Sequence, residues 1–350
     1  MLALCALAAP LGAQETAGPW RLSYFPYVTV SPNDGLMGIA RAIWFRQAPW
    51  GERITLANAV AVEAGYSTRD AWLGRITWTN PRLAPMWRIK AHAEAGHEPR
   101  FGDPDDSFER TRGVAWVDVT RKLTDKVYGA VRGGARVEKW QVGDATDSDG
   151  DITARGAIVV DLRDREFEVN RGILAEAGMI FGTGGEEGYR AAYTQLRGWY
   201  NPLHYLRLTG RFAYRQPVKH GSFASRIELP GWEDEFTVVG GYRSHRGLGT
   251  GQLQGDGFNL AGAEARFDVL NLGELGALSV LAFVDGGRRL RDPDIFCGIG
   301  SCEESERYDD WHWGAGGGVA LRVLRAATLT VTASGGDGET RRYVGSGWSW

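Results

Sequence analysis

Apolar and charged side chains alternate with a period of two through most of this chain. In the segment 263–269, for example, the apolar residues Phe267 and Val269 alternate with Glu264 and Arg266. Successive side chains of a β-strand point to opposite faces of the sheet, so this period predicts strands with one apolar and one charged face. The same alternation is found at 126–138, 154–163, 205–215 and 327–333.

Two kinds of fold accommodate such strands. A soluble sandwich buries the apolar face and leaves the charged face in water, whereas a membrane barrel places the apolar face in lipid and the charged face in its lumen. The number of charges within single strands favours the barrel, and Trp and Tyr near strand ends resemble an aromatic girdle. We therefore predict an all-β, transmembrane antiparallel β-barrel over residues 35–350. It has about sixteen strands, at roughly 21 residues for each strand and its connection. A soluble all-β protein is the alternative.

Both ends of the sequence support export. Residues 1–14 carry no charge and contain an apolar run followed by small residues, which predicts a signal peptide despite the missing basic start. A buried N-terminal strand is the alternative. Residues 15–34 are expected to form a short periplasmic N-terminal segment. The sequence ends in RRYVGSGWSW, whose Trp348 and Trp350 share one strand face, as in the terminal recognition strand of bacterial outer-membrane barrels.

Composition excludes several classes of protein. The chain has 40 Lys and Arg against 43 Asp and Glu, for a net charge of −3, so no basic surface predicts nucleic-acid binding. Aromatic residues are too frequent for a disordered chain. Beyond the leader, no stretch approaches the roughly 20 apolar residues of a membrane helix. The predicted surroundings are the lipids and lipopolysaccharide of the outer membrane of a Gram-negative bacterium.

The connections between strands differ in length and charge. Short turns are expected on the periplasmic side and long loops outside. The short turns are predicted at Asn80-Pro81, Asn201-Pro202 and Leu270–Gly273, and the long, mostly acidic loops at 94–110, 144–151, 182–188 and 291–310. The acidic run at 144–151 lacks the EF-hand spacing and is expected to be a solvated loop.

Few residues indicate chemistry. Cys297 and Cys302 lie in one loop, and in an exported chain they are predicted to form a disulfide. Two thiols without a nearby His do not predict a metal site. The sequence contains no G-x-S-x-G elbow, and His97-Glu98 lacks the second His of a zinc protease. We therefore expect no enzyme activity, cofactor or metal, although a hydrolase assembled from distant residues stays open.

Four ordered motifs point to a family. The first is a D-x-R-D motif with a later glycine, the second a double glycine that leads into an Arg-Gly loop, the third a charged strand, and the fourth F-x-D-x-G. They comprise Asp161, Arg163, Asp164 and Gly172; Gly240, Gly241, Arg246 and Gly247; Glu264 and Arg266; and Phe283, Asp285 and Gly287. With the terminal aromatic strand, this order resembles the barrel domain of the BamA/TamA-type bacterial surface antigen family. The sequence departs from that family's pattern at Val169, His245 and Leu248.

The resemblance implies a lumen loop that folds back onto the inner wall of the barrel. In it, Arg246 would bind Asp285, which alternation places on the lumen face, and Gly247 would permit a close approach. We refer to Arg246, Gly247 and Asp285 as the lumen-loop lock. A conventional charged surface loop is the alternative.

The resemblance also implies a function. Such proteins insert proteins into the outer membrane or translocate them across it, and their relatives carry periplasmic POTRA domains, for which the 20 residues before the barrel are too short. The expected partner is a separately encoded POTRA-type protein or a substrate protein. A weak seam between the first and last strands would admit a substrate strand by edge pairing. A passive channel for small solutes is the main alternative, and an outer-membrane hydrolase is a third.

Overall fold

The computed structural model describes most of the chain after residue 17. The described residues are 18–49, 52–102, 107–142, 144–166, 169–185, 188–218, 221–222, 225, 228–232, 237–290, 310–323, 327–336 and 338–346. The predicted signal peptide, the Cys297–Cys302 disulfide, and Trp348 and Trp350 lie outside these residues.

Strands make up most of the described chain. They are β1 (Trp20–Tyr24), β2 (Tyr27–Ser31), β3 (Gly35–Gln47), β4 (Leu56–Ser67), β5 (Trp72–Ala84), β6 (Trp87–Gly102), β7 (Ser107–Lys122), β8 (Val127–Val142), β9 (Ala145–Asp161), β10 (Gly172–Gly182), β11 (Tyr189–Leu203), β12 (Leu206–Arg215), β13 (Glu228–Leu229), β14 (Thr237–Val238), β15 (Gly257–Asn271), β16 (Gly276–Leu290), β17 (His312–Val323), β18 (Ala327–Gly336) and β19 (Glu339–Ser346). A short 3-10 turn, Gly273–Leu275, joins β15 to β16. No helix among the described residues is long and apolar enough to span a membrane.

The strands close into one antiparallel barrel. Each barrel strand pairs with its neighbour along the chain, β12 pairs with β15 across the long connection 216–256, and β19 returns to β2. Both β1 and β2 pair with β3, so they occupy a single strand position that is broken at residues 25–26. The barrel therefore has 16 strand positions, which confirms the predicted fold.

Burial confirms the predicted orientation of the two faces. On β8, Val131 and Val137 are 63% and 65% exposed, whereas Arg132 and Arg136 between them are 2% and 5% exposed. On β15, Phe267 is exposed and its neighbour Arg266 is buried, and the other alternating segments behave likewise. A soluble sandwich would show the reverse, because its charged face meets water.

Several predicted connections are wrong in position. The long loops expected at 94–110 and 144–151 are mostly strand, since β6 runs to Gly102, β7 starts at Ser107 and β9 starts at Ala145. Strands that extend beyond the membrane meet water on both faces, so they lose the alternation that marks a strand in the sequence. The stretch 182–188 remains a connection from the end of β10 to the start of β11.

Two predicted turns lie inside strands instead. Asn80-Pro81 belongs to β5 and Asn201-Pro202 to β11, and the tight turns follow at 85–86 and 204–205. Register shifts accompany both sites, between Asn80 and Ala84 and between Tyr200 and Leu203. Proline lacks an N–H for the ladder but is tolerated at such irregularities. The segment 15–34, expected to precede the barrel, contributes β1 and β2 to it.

Candidate functional site

The connection between β12 and β15, residues 216–256, has its described residues in the lumen, where they form the main content of the barrel. Its described residues are largely buried, although it connects two strands at one end of the barrel. It contacts the inner wall through two stretches. We call residues 228–232 the first docking segment and residues 244–248 the second docking segment.

Arg246 of the second docking segment binds two wall carboxylates and stacks on an aromatic ring. Its Nε donates to Asp285 Oδ2 at 2.7 Å, its Nη2 donates to Asp285 Oδ1 at 3.1 Å, and its backbone N–H donates to Oδ2 at 3.1 Å. Its Nη1 donates to Glu264 Oε2 at 2.5 Å. The guanidinium also lies 3.4 Å above the centroid of the Phe283 ring. The family-type motifs on β15, β16 and the loop thus meet at one point.

Strand parity explains why these acids meet the loop. Asp285 is paired with Gly262 and Glu264 with Phe283 in adjacent strands, and both acids point into the lumen. Arg246, Asp285 and Glu264 are 1%, 0% and 3% exposed. Burial alone would lower the pKa of the Arg246 guanidinium, but the two carboxylates outweigh burial and leave that pKa raised. Arg246 alone leaves one of the two carboxylate charges uncompensated. Arg266 supplies the second positive charge, and its Nε donates to Glu264 Oε1 at 2.5 Å.

Glycine allows the second docking segment to touch the wall directly. A Cβ on Gly247 would lie 2.7 Å from the Cα of Gly314 on β17, and a Cβ on Gly314 would lie 2.7 Å from the Cα of Gly247. The loop backbone then accepts hydrogen bonds from the wall. Arg341 Nε donates to the Gly247 carbonyl at 2.9 Å, and Tyr343 Oη donates to the Leu248 carbonyl at 2.5 Å.

The double glycine and two of the three departures from the family pattern, His245 and Leu248, have structural roles in the lumen loop. Gly240 and Gly241 have φ values of +106° and +88°, which favour glycine, and a Cβ on Gly240 would overlap the Gly249 carbonyl oxygen. Leu248 packs in a buried apolar cluster with Leu229, Val239 and neighbouring residues. His245 is buried, and its Nε2 lies 2.8 Å from the carbonyl oxygen of His312.

The first motif is not brought to the lumen-loop lock; it builds the turn between β9 and β10. Arg163 donates to both carboxylate oxygens of Asp161, at 2.9 and 3.0 Å. Asp164 Oδ1 accepts the backbone N–H of Asn170 at 3.0 Å. Gly172 has φ +131°, and a Cβ there would lie 2.5 Å from the Leu162 carbonyl oxygen. Gly287 lies farther along β16 beside the ring of His245.

The first docking segment was not predicted from the sequence. The Trp232 backbone N–H donates to Glu176 Oε2 at 2.6 Å, and its indole Nε1 donates to Thr120 Oγ1 at 3.0 Å. Arg155 Nη1 donates to the Gly231 carbonyl at 2.6 Å, and Arg132 Nη2 donates to the Trp232 carbonyl at 3.2 Å. The available signal was an apolar LPGW run inside a charged connection, facing strands with unusually many inward charges.

The closing interface of the barrel is its weakest strand pairing. In the described residues, β19 and β2 share one register pair, Val344 with Val30. The other edge of β19 is paired with β18 continuously from Leu329–Ser346 to Gly336–Glu339. On the N-terminal side of the break at 25–26, β1 pairs only with β3 within the described chain. We call the β2–β19 contact the seam.

Comparison with a protein-family model identifies the family of this barrel. Residues 56–326 match the Omp85 superfamily domain. The chain belongs to the Omp85 superfamily. It is therefore a bacterial outer-membrane barrel, and members of this superfamily are transporters and insertases rather than enzymes. In the described part of this Omp85 chain, no group of three His, Cys, Asp or Glu side chains could hold a metal ion.

Solved structures share the fold at low sequence identity. BamA from Haemophilus ducreyi lacking POTRA domains 1–3 is similar with a TM-score of 0.61 and 12% identity, over 94% of this chain and 70% of that chain. CdiB from Escherichia coli gives 0.57 and 11%, over 93% and 67%. CdiB from Acinetobacter baumannii gives 0.56 and 14%, over 92% and 59%. No curated protein matches the sequence closely enough to count as a relative.

Proposed function

We propose that this Omp85 protein inserts other proteins into the outer membrane or translocates them across it, by opening the seam to a substrate strand. The observation that carries the proposal is that β2 and β19 share one register pair among the described residues. A strand edge with unpaired N–H and C=O groups is a template for another strand, and such addition derives its affinity from main-chain hydrogen bonds. The other strand interfaces of the barrel are paired along most of their length.

The lumen loop supports the same proposal by bracing the strands beside the seam. The second docking segment binds β16 through Asp285 and β19 through Arg341 and Tyr343. It thus holds the last strand, β19, from inside the barrel, whereas the described residues of the seam hold β19 through one register pair. Release of the lumen-loop lock would free β19 to move away from β2. The expected partner is a substrate protein with an extended strand, delivered alone or by a separate periplasmic POTRA-type protein.

A pair of cysteine variants tests the seam. Residues directly opposite in adjacent strands have Cβ atoms about 4.5–5.5 Å apart, close enough for a disulfide after small adjustment. With the native cysteines replaced by serine, the Val30→Cys/Val344→Cys variant links the seam. The Val331→Cys/Val344→Cys variant is the matched control, because it links β19 to β18 through the same residue.

Both variants are reconstituted in liposomes with a urea-unfolded outer-membrane barrel protein as substrate, and substrate folding is followed by protease protection. The seam disulfide should reduce the folding rate to that of empty liposomes, and a reductant should restore it. The control disulfide should have no such effect. Equal activity of the two oxidised variants, or no acceleration by the native protein, would contradict the proposal.

A passive channel is the competing function. The lumen is filled by the docked loop, with Trp232 and Arg246 both buried against the wall, so the closed barrel should conduct little. A large, steady conductance of the native protein in planar bilayers would favour the channel.

A further inference from the structure

The side chain of Asn33 is not used by the turn that contains it. Asn33 lies two residues after the end of β2, in the turn between β2 and β3, and is 2% exposed. The side-chain hydrogen bonds within this turn come from Ser31 and Asp34, because Ser31 Oγ donates to Asp34 Oδ2 and accepts the Asp34 backbone N–H, each at 2.9 Å. The Asn33 amide is instead directed at other elements of the barrel.

Three hydrogen bonds fix the orientation of this amide. Its Nδ2 donates to the carbonyl of Arg100 at 2.7 Å and to that of Gly102 at 2.9 Å, and its Oδ1 accepts the backbone N–H of Thr250 at 2.9 Å. The reversed amide would place its oxygen against two acceptors and its nitrogen against a donor, so one orientation satisfies the buried group. The carbonyl of Thr250 also accepts the Gly102 N–H at 3.0 Å. Asn33 thus joins the β2–β3 turn to the end of β6 and to the lumen loop.

The next residue of the lumen loop touches the wall directly on this side of the seam. Gly251 has a φ of +71°, which favours glycine, and a Cβ there would overlap the ring of Phe101. Phe101 lies on β6 and is 1% exposed. The loop therefore meets the wall at residues 250–251 through a backbone hydrogen bond, an amide side chain and a buried ring.

A few residues earlier, the same loop is bound to the other side of the seam. Side chains of β19 donate to the carbonyls of Gly247 and Leu248. The ring of Tyr242 packs against Gly345 of β19, where a Cβ would overlap it. We call residues 242–251 the seam staple, since they bind both β19 and the β2–β3 turn.

The seam staple compensates for the weak strand pairing of the seam. Within the described residues, β2 and β19 share one register pair, whereas the staple adds hydrogen bonds to each side. Strands that separate at the seam must therefore pull the staple off β19 or off the β2–β3 turn. We propose that the seam staple holds the seam shut from inside the lumen, and that Asn33 is the positioning residue that fastens it to the β2 side.

This inference rests on the proposed function, since it names what regulates the opening of the seam. The lumen-loop lock and Asn33 hold different elements: the lock binds the loop to β16, whereas Asn33 binds the β2–β3 turn to the loop. Loss of the Asn33 side chain should therefore open the seam while residues 244–248 stay bound to the wall.

Hydrogen exchange of the full-length protein in a nonionic detergent measures this opening, with no substrate present. Where a strand recloses faster than its amides exchange, the exchange rate is proportional to the equilibrium constant for opening. Each hydrogen bond changes such a constant by roughly two- to tenfold. Asn33→Ala removes three, so exchange of residues 27–31 should become at least about tenfold faster, while that of 244–248 stays unchanged. Asn201→Ala removes an asparagine hydrogen bond at the end of β11 and, as the control, should leave residues 27–31 unchanged.

A second variant distinguishes a staple from a local contact. Tyr343→Phe removes the hydrogen bond to the Leu248 carbonyl on the β19 side, and should accelerate exchange of residues 27–31 by about two- to tenfold. In the Asn33→Ala background it should add nothing, because a staple that is released at one end no longer holds the seam. Effects of the two changes that multiply would overturn the inference.

The seam-linked Val30→Cys/Val344→Cys variant gives the remaining test. With the seam held by a disulfide, Asn33→Ala should no longer accelerate exchange of residues 27–31, and acceleration that persists would show that Asn33 holds only its own turn. Heat-modified migration on a gel verifies that each variant is folded. A protein that shows the expected exchange without accelerating substrate folding would contradict the proposed function and leave the staple standing.

Discussion

The two docking segments attach the same loop to opposite walls of the lumen with opposite chemistry. In the second docking segment the loop supplies the charge, because Arg246 donates to Asp285 and Glu264. In the first docking segment wall arginines supply the positive charge, because Arg155 and Arg132 donate to loop carbonyls and Arg136 donates to the loop carboxylate of Glu228. The second attachment therefore depends mainly on one buried loop side chain, with further hydrogen bonds from Arg341 and Tyr343 to loop carbonyls. The first attachment is distributed over several wall arginines.

This difference has an energetic consequence. A concentrated attachment fails when one residue is removed, since the acids around Arg246 are left buried without their cation. A distributed attachment loses one hydrogen bond at a time. We therefore expect the second docking segment to behave as a switch and the first as a permanent anchor.

Removal of the lumen-loop lock should give the largest effect. Arg246→Ala leaves Asp285 and Glu264 buried with less compensation, at a cost of about 3–5 kcal/mol for a desolvated pair. Proteolysis within 240–250 should accelerate, while the first docking segment stays protected. Asp285→Ala should act similarly, and because both changes remove one interaction their effects should not add. Strictly additive effects in the double variant would contradict a shared lock.

Loss of the anchor should have a smaller and more local effect. Trp232 stacks on Tyr128 with a centroid distance of 5.6 Å, and Trp232→Ala removes that packing at a cost of about 3 kcal/mol, the low end of the range for a buried tryptophan. Trp232→Phe keeps a ring and removes only the hydrogen bond to Thr120, worth about 1 kcal/mol. Thermal unfolding in detergent should rank the variants in this order. If Trp232→Ala exposes the second docking segment to protease as much as Arg246→Ala does, the two segments are not independent.

The smallest expected effect is a difference in pH dependence. Burial raises the pKa of Glu228 in the first docking segment, and Arg136, which opposes that rise, does not cancel it. The folded protein then holds the Glu228 proton more tightly than the unfolded chain. The resulting stabilisation is present below the ordinary pKa of 4.5 and is lost as pH rises through the raised value.

Hydrogen exchange of residues 228–232 should therefore speed up as pH rises above about 4.5, after correction for intrinsic exchange, and Glu228→Gln should abolish the change. The second docking segment should respond in the opposite direction, because burial lowers the pKa of His245 below its ordinary value of 6.5 and exchange there should slow as pH rises towards that value. An equal pH response in both segments would remove this distinction.

The barrel and the second docking segment could be predicted from the sequence, but the first docking segment could not. Alternation reports which face a side chain occupies, so it identified both the strands and the inward position of Asp285. Alternation disappears where strands leave the membrane, so β6, β7 and β9 are longer than the sequence predicts. Every residue has a backbone carbonyl, so the residue types did not predict that the carbonyls of Gly231 and Trp232 would accept hydrogen bonds from wall arginines. Glu264 belonged to a predicted motif, but its direct contact with Arg246 depends on strand register.

The contact between Gly247 and Gly314 carries a thermodynamic consequence. With no side chain on either partner, separation of the loop from the wall exposes hardly any apolar surface at that point. Since the heat capacity of a transition follows the apolar area that it exposes, this contact should add almost nothing to the heat-capacity change when the second docking segment is released. The temperature dependence of the release enthalpy should therefore come mainly from Leu248, whose side chain leaves a buried apolar cluster.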